Sequence, residues 1–226
     1  MLTKVYSIRL SRTFLPGIIE TVYVECYTIY NTNIRKYIGI GGIQLELVEP
    51  IKSKKQIDAL KKYLRGQNIR DYLLFVLGIN SGLRISDLLT LTVEDVQGQE
   101  RISLREKKTG KAKDFPLSDT CKKAIIDYLK TTGVKNGFLF ASRKGHKPIT
   151  RVQAYRILNE AAEYVGIKEA VGTHTLRKTF GFHAYQNGVD ITRIQKLLNH
   201  SAPSVTLAYI GITKQELDNV YISLNL

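Results

Sequence analysis

The sequence predicts a mainly α-helical protein with a small antiparallel β-hairpin and a short β-rich appendage at its N-terminus. Apolar residues recur at helical spacing after residue 50, for example along residues 69–77. The segments RISLRE and AKDFPL instead flank Thr109-Gly110, a pattern typical of a β-hairpin. We therefore expect two regions, a β-rich appendage over 1–45 and a largely helical domain over 46–226.

The appendage is distinguished by composition and charge. VYVECYTIY is rich in β-branched and aromatic residues and predicts a strand, and KYIGIGGIQLEL predicts another. Residues 1–45 hold five Lys or Arg against two Glu, a net charge of +3. The other +11 of the chain's +14 therefore belongs to residues 46–226.

The first helices of the larger region have recognisable ends. Pro50 marks a boundary, and Ser53 with Gln56 resembles a capping box for a helix near 54–65. Ser81-Gly82 interrupts the amphipathic helix that follows. Arg84 is therefore expected at a helix start, beside backbone N–H groups that favour an anion.

Later helices are bounded in the same way. Ser118 or Asp119 can cap a helix that carries Cys121 on its apolar face. Asp190 can cap the helix that ends in LLNH, and Pro203 suits the first turn of a short helix carrying Tyr209.

Three more helices follow from apolar spacing and caps. One carries its apolar face between 154 and 165, and another begins at His174 and ends near Gly188. Thr213 with Glu216 predicts a last helix over 213–226. Its apolar face consists of Leu217, Val220, Tyr221 and Leu224.

Composition narrows the class of partner. The chain has 226 residues, 43% hydrophobic content and a pI of about 9.7, which suits a folded domain that binds a polyanion, nucleic acid first. A basic but merely solvated surface is the alternative. The two cysteines imply no disulfide framework, and the histidines and cysteines lack metal-ligand spacing. The sequence contains no signal peptide and no apolar run long enough to span a membrane. We expect a cytoplasmic protein.

The positive charge is concentrated in two segments, 101–113 and 143–156. Basic clusters that flank a candidate site are typical of contacts to the phosphate backbone. The candidate DNA-binding residues are Lys107, Lys111, Lys113, Arg143, Arg151 and Arg156.

Four short motifs, SGLRISDLL, REKKTGKAKDFPL, HTLRKTF and LLNHSAPSVTLAYI, carry a second set of candidate residues. The set is Arg84, Lys108, His174, Arg177, His200 and Tyr209. Guanidinium groups match phosphate oxygens bidentately, imidazole and ammonium groups transfer protons near neutral pH, and a tyrosine hydroxyl can form a covalent intermediate. This combination suits attack by a tyrosine on a phosphodiester. The remaining histidines have simpler interpretations, since His183 is expected to pack within a helix and His146 to be solvated.

The four motifs resemble those of the tyrosine recombinases, the phage-integrase family, over roughly residues 46–226. The family pattern G-x-R-x-S-[DE]-L matches Gly82 to Leu88, and K-T-G-K matches Lys108 to Lys111. H-x-L-R matches His174 to Arg177, and the stretch from the second histidine to the nucleophile matches His200 to Tyr209.

The resemblance implies a role for each of the six residues. Arg84 and Arg177 would clamp the scissile phosphate, and Tyr209 would attack it and form a 3′-phosphotyrosine. Lys108 would be the general acid for the leaving 5′-hydroxyl. His174 would serve as base and orienter, and His200 would donate a hydrogen bond to the phosphate. The chemistry implied requires no metal and no other cofactor.

The resemblance also implies a function and partners. We expect a site-specific DNA recombinase, an integrase or resolvase of a bacterial or phage mobile element, that acts on double-stranded DNA in the nucleoid. It would self-associate on DNA through the last helix, 213–226. Two alternatives remain open: a topoisomerase IB-like strand-cleaving enzyme, and a DNA-binding regulator that has lost catalysis.

The chain differs from the family pattern in the length that precedes the region of resemblance and at Asn199, and it has an acidic residue close to Arg84. Only 45–50 residues precede the region of resemblance, where the family usually has a helical core-binding domain of about a hundred residues. Asn199 stands where the family commonly has glycine, and we expect it to adopt the same left-handed conformation. Asp87, one turn after Arg84, is expected either to hold the Arg84 guanidinium or to cap locally.

Overall fold

The computed structural model describes residues 8–12, 22–26, 34–39, 42–46, 48–143, 147–212, 218 and 222–224. The chain divides into two compact units, Met1–Val48 and Glu49–Leu226. His146 and ten of the fourteen residues of the predicted last helix, 213–226, lie outside the described residues, while 218 and 222–224 are helical. Among the residues that are described, no helix is both long and apolar enough to cross a membrane.

The first unit contains a four-stranded antiparallel sheet whose strands follow chain order. The strands are β1 (Ile8–Arg12), β2 (Val22–Cys26), β3 (Ile34–Gly39) and β4 (Gly42–Glu46). The prediction of a strand in VYVECYTIY is confirmed. KYIGIGGIQLEL, predicted as one strand, forms parts of two, because Gly39 pairs with Gly42 where β3 and β4 meet. Strand β1 was not predicted from the sequence.

The second unit is built around one central helix. Helix α1 (Lys54–Gln67) begins at the predicted cap, where Ser53 accepts a hydrogen bond from the Gln56 N–H. Helix α2 (Ile69–Ser81) was predicted to be amphipathic, but five consecutive side chains, residues 73–77, are buried. A helix that is apolar on all sides lies inside a core. The α2 backbone also approaches α6 (Thr175–Gln186) so closely that a Cβ at Gly78 would lie 2.4 Å from Leu176 Cδ1.

A left-handed glycine directs the chain from α2 towards the site. Gly82 has φ +58°, and a Cβ there would lie 2.6 Å from the Phe180 ring. Arg84 follows at the N-cap of the short helix α3 (Ile85–Leu88). The predicted hairpin is confirmed as β5 (Arg101–Arg105) and β6 (Ala112–Pro116), so residues 106–111 form its tip.

The remaining helices are α4 (Asp119–Thr132), α5 (Arg151–Tyr164), α7 (Ile191–Leu197) and α8 (Pro203–Ile210). Ser118 caps α4, Asp190 caps α7 and Pro203 opens α8, as predicted. Cys121 is buried, also as predicted. A small apolar cluster of Phe182, Ile194, Leu198 and Ile210 joins α6, α7 and α8.

Candidate active site

The six candidate residues come from five separate segments. Arg84 and His174 occupy the N-cap positions of α3 and α6, Arg177 lies in the first turn of α6, and Lys108 lies at the hairpin tip. His200 follows α7, and Tyr209 lies in α8. The charge of Arg84 acts to lower the pKa of each of the other five, so all five lie within electrostatic range of its guanidinium.

Arg177 holds two of these segments in place. Its side chain is buried, and its guanidinium donates hydrogen bonds to two backbone carbonyl oxygens, from Nη1 to Gly82 (2.6 Å) and from Nη2 to Leu198. Gly82 precedes Arg84 by two residues, and Leu198 precedes His200 by two. The packing of α6 therefore fixes the positions of Arg84 and His200.

Tyr209 lies against both histidines. Its hydroxyl oxygen is 3.4 Å from His174 Nδ1, and its ring meets the His200 ring edge-on at 4.8 Å between centroids. The Lys178 ammonium lies 5.4 Å from the centre of the Tyr209 ring. Burial raises the pKa of the Tyr209 hydroxyl, while Arg177 and Arg84 oppose that rise. The hydroxyl is therefore protonated at neutral pH and must lose its proton before or during an attack.

Both histidines are neutral at pH 7. Burial lowers the pKa of His174 to about 4, and the cations Arg151, Arg177, Lys178 and Arg84 act in the same direction. Neutral imidazole next to the Tyr209 hydroxyl can accept its proton.

His200 is held by a hydroxyl group and a left-handed backbone turn. Burial, with Arg177 and Arg84, lowers the pKa of His200 to about 4, and its Nδ1 lies 3.1 Å from Thr206 Oγ1. Asn199 has φ +50°, the left-handed conformation predicted for it.

Acidification should therefore destabilise the protein. The unfolded chain binds protons at His174 and His200 below about pH 6.5, whereas the folded chain does so only near pH 4. As the pH is lowered from about 6.5 to about 4, we expect the free energy of unfolding to decrease by on the order of 1 kcal/mol per pH unit for each histidine. Urea unfolding at several pH values measures the slope. The double variant His174→Gln/His200→Gln should flatten it, and an unchanged slope would contradict the assignment.

Arg84 has a different ionic partner from the one expected. Its Nη1 lies 2.8 Å from Glu106 Oε2 in a buried ion pair. Asp87 Oδ1 instead accepts a hydrogen bond from the Lys107 backbone N–H (3.0 Å). The expectation that Asp87 holds Arg84 or caps its own turn is wrong, because its carboxylate binds the hairpin backbone.

Glu106 was missed as a site residue. Burial alone would raise the pKa of its carboxyl, but hydrogen bonds and charge from Thr109, Arg84 and Asn199 together lower it. The available signal was a lone acid among the six Lys and Arg of residues 101–113.

Two of the hairpin lysines, Lys108 and Lys113, have different environments from the exposed Lys107 and Lys111. Burial lowers the pKa of Lys108, and Arg84 adds to this effect. The neighbouring lysines of the hairpin do not contribute to this shift.

Lys113, expected to be a DNA contact, turns inward. Its Nζ lies within 3.4 Å of Ser81 O and 3.3 Å of Leu197 O, and burial, with Arg177, lowers its pKa to about 8. Its ammonium group therefore bridges the ends of α2 and α7.

The other candidate DNA-binding residues are exposed and form two groups. Lys107 and Lys111 lie on the hairpin tip beside Lys108. Arg143 and Arg156 line an open cavity of about 850 Å³. Arg70, a basic residue that was not predicted as a DNA contact, lines the same cavity. Arg151, at the start of α5, acts electrostatically on His174. Within the described residues, no three His, Cys, Asp or Glu side chains form a group suited to a metal ion.

Comparison with known proteins identifies the family. The profile of the Phage integrase family matches residues 52–216. The sequence is 48% identical over 177 residues to the probable integrase/recombinase YoeC of Bacillus subtilis (strain 168), covering 78% of this chain and 97% of that protein. It is 32% identical over 176 residues to the tyrosine recombinase XerA of Pyrococcus furiosus, covering 76% of this chain but 59% of XerA.

Solved structures agree on the fold. The crystal structure of XerA recombinase matches with a TM-score of 0.66 at 24% identity, over 79% of this chain and 66% of that one. The catalytic domain of bacteriophage HP1 integrase matches with a TM-score of 0.52 at 21% identity, over 76% of this chain and 94% of that one. The fold is that of a tyrosine-recombinase catalytic domain. With the profile match, this means that the chain belongs to the phage integrase family.

Proposed function

We propose that this protein is a site-specific DNA recombinase that cleaves and rejoins DNA strands through a 3′-phosphotyrosine. The observation that carries the proposal is the position of Tyr209, whose hydroxyl lies 3.4 Å from the neutral His174 imidazole. Arg177 and Arg84 lie close enough to oppose the raised pKa of that hydroxyl. A nucleophile, a proton acceptor and two phosphate-binding cations therefore meet at one point.

In the proposed reaction the Tyr209 oxygen attacks phosphorus and its proton passes to His174. The bond to the 5′-oxygen breaks, and that oxygen takes a proton from Lys108. Arg84 and the remaining N–H groups of Arg177 bind the non-bridging oxygens, where charge develops. His200 Nδ1 lies 3.1 Å from Thr206 Oγ1, a contact that orients the ring so that its Nε2 would face the phosphate. Reversal with a different 5′-hydroxyl rejoins the strand without an external energy source.

The direct test is a covalent adduct. A duplex with a nick near the cleavage site loses its short 5′-hydroxyl fragment after attack, so religation cannot follow. The protein should then form an adduct with DNA that survives SDS. Absence of the adduct across a library of candidate sites would remove the proposal. The topoisomerase-like and regulatory alternatives have no specific observation in their favour.

We further propose that the exposed basic residues bind the DNA backbone on two sides of the site. Lys107 and Lys111 would do so from the hairpin, and Arg143, Arg151 and Arg156 from α5 and the loop before it. The charge of +11 over residues 46–226 supports this assignment.

DNA affinity should therefore fall steeply as salt concentration rises. We expect a log–log slope of about −0.9 for each phosphate contacted. Lys111→Ala and Arg156→Ala should each make the slope shallower by about one contact, measured by fluorescence anisotropy over a salt series. Lys130→Ala, an exposed lysine on α4 outside both clusters, is the matched control and should retain the wild-type slope. A slope that is flat in the wild type would exclude backbone recognition.

Self-association through residues 213–226 is a finer proposal, supported by the apolar spacing of Leu217, Val220, Tyr221 and Leu224. A chain ending at residue 212 should still form the adduct but should lose the higher-order DNA complexes seen by mass photometry. Identical complexes with both chains would reject it. We also propose that the protein associates with the bacterial nucleoid, because its substrate would be DNA. A fluorescent fusion should then colocalise with stained DNA.

A further inference from the structure

One oxygen atom of Glu106 contacts three different segments of the site, two through hydrogen bonds and one through an ion pair. Its Oε2 lies 2.8 Å from Arg84 Nη1, 2.7 Å from the Thr109 hydroxyl that donates to it, and 2.9 Å from the donating Asn199 Nδ2. The Glu106 side chain has no exposed surface. Its other oxygen, Oε1, is buried without a hydrogen-bond partner among the described residues. All of the polar contacts made by this carboxylate are therefore concentrated on one atom.

Each of the three partners of this oxygen lies at or beside a residue with a proposed role in the reaction. Arg84 is itself one of the phosphate-binding cations. Thr109 follows Lys108 at the hairpin tip, and Asn199 precedes His200. These segments are far apart in sequence. The contacts at one carboxylate oxygen therefore constrain the distances between the proposed acid, one phosphate clamp and the second histidine.

The hairpin tip does not need this carboxylate to form its turn. The Glu106 N–H donates to Lys111 O (2.9 Å), and the Gly110 N–H donates to Glu106 O (2.8 Å). These backbone bonds, with a bond from the Lys111 N–H to Thr109 Oγ1 (3.3 Å), close the tip without the carboxylate. The Thr109-to-carboxylate bond instead attaches the closed tip to Arg84, so its contribution is to the position of Lys108 rather than to the existence of the turn.

Asn199 adds a contact that glycine could not make. Its φ of +50° is a conformation that glycine adopts freely and that asparagine tolerates. With glycine here the backbone would be satisfied, but the carboxylate would lose one donor. The side-chain amide therefore accounts for the link between Glu106 and the His200 segment.

We propose that Glu106 is a positioning residue that uses one carboxylate oxygen to hold the Lys108 tip and the His200 segment in register with Arg84. The inference rests on the proposed recombinase chemistry and deepens it. Glu106 does not contact the phosphate. It acts through Thr109 on proton delivery to the leaving oxygen, and through Asn199 on contacts to the non-bridging oxygens.

The test removes the two hydrogen-bond donors, Thr109 and Asn199, because removal of Glu106 itself would leave the Arg84 guanidinium unpaired. Thr109→Val should lower the rate of adduct formation by about tenfold, since small misplacements of a reacting group have effects of this size or larger. On DNA with sulfur at the 5′-bridging position the same variant should match the wild type, because a thiolate leaves without a proton. Thr109→Ser restores the hydroxyl and should restore the rate on ordinary DNA.

Asn199→Gly supplies the complementary result. Its backbone remains unstrained, so only the amide contact is lost. The rate should again fall by about tenfold, but sulfur should not rescue it, because His200 would act on the non-bridging oxygens. Melting temperatures should stay close to that of the wild type, since both contacts are at the edge of the site.

The outcomes separate this inference from the proposed function. If the wild type forms the adduct and both variants react at its rate, Glu106 has no positioning role. A loss in Thr109→Val that is equal on oxygen and sulfur substrates would also overturn the inference, because the effect would not pass through Lys108. If the wild type forms no adduct with either substrate, the recombinase proposal fails, and this inference fails with it.

Discussion

Tyr209→Phe should abolish the covalent protein–DNA adduct and leave DNA affinity nearly unchanged. The substitution removes only the hydroxyl, which would be the nucleophile. The half-buried ring keeps its edge-on contact with His200 and its place on the small cluster of α6, α7 and α8. The measurement pairs SDS gel electrophoresis on the nicked duplex with anisotropy on an intact duplex.

The matched control is Tyr185→Phe. Tyr185 is also a partly buried tyrosine that packs on the same cluster, and it is on α6 rather than α8. This variant should form the adduct at the wild-type rate. An adduct that persists in Tyr209→Phe, with peptide mapping to another residue, would falsify the assignment of the nucleophile.

Helix ends were predicted well because their causes are local. Ser53, Asp190 and Pro203 each act on backbone groups within one turn, so a few residues contain the necessary information. The same holds for the hairpin, whose turn lies between two alternating segments. Asn199 is a further case, since its left-handed conformation depends on its own side chain and position.

Features that depend on packing were not visible in the sequence. Helix α2 has an amphipathic pattern, yet α1, α4 and α6 all contact it, so its remaining face is buried as well. In the sequence, Lys113 and Lys108 are two lysines of the same basic segment, and nothing in that segment distinguishes their environments. Only the hairpin register, which pairs Lys113 with Leu104, and the approach of α2 and α7 turn Lys113 inward.

The charges of the site perform two separable tasks. Arg177 and Lys113 donate to carbonyl oxygens at the ends of the same two segments, so they hold the site together before any substrate binds. Arg84 and Lys108 make no such backbone contacts among the described hydrogen bonds. This division predicts that loss of Lys113 affects folding as well as chemistry, whereas loss of Lys108 affects chemistry alone.

Lys108→Ala should lower cleavage by roughly 10²–10⁴-fold, the usual range for positioned acid catalysis. The leaving 5′-alkoxide is a strong base, so its departure without a proton is slow. Burial and Arg84 lower the pKa of Lys108 and so make its proton easier to transfer. The loss should disappear on DNA with sulfur at the 5′-bridging position, because a thiolate leaves readily without protonation. Rates of adduct formation on matched oxygen and sulfur duplexes measure both effects.

Three further variants test whether rescue by the sulfur substrate is specific to loss of the general acid. Arg84→Ala should not recover on the sulfur substrate, because its guanidinium would stabilise charge on the non-bridging oxygens rather than on the leaving atom. Lys113→Ala should lose activity on both substrates and melt at a lower temperature, because its ammonium bridges α2 and α7. Lys111→Ala should react normally on both, apart from weaker DNA binding. If sulfur rescues Lys111→Ala or Lys113→Ala but not Lys108→Ala, the rescued lysine is the acid and the assignment of Lys108 is wrong.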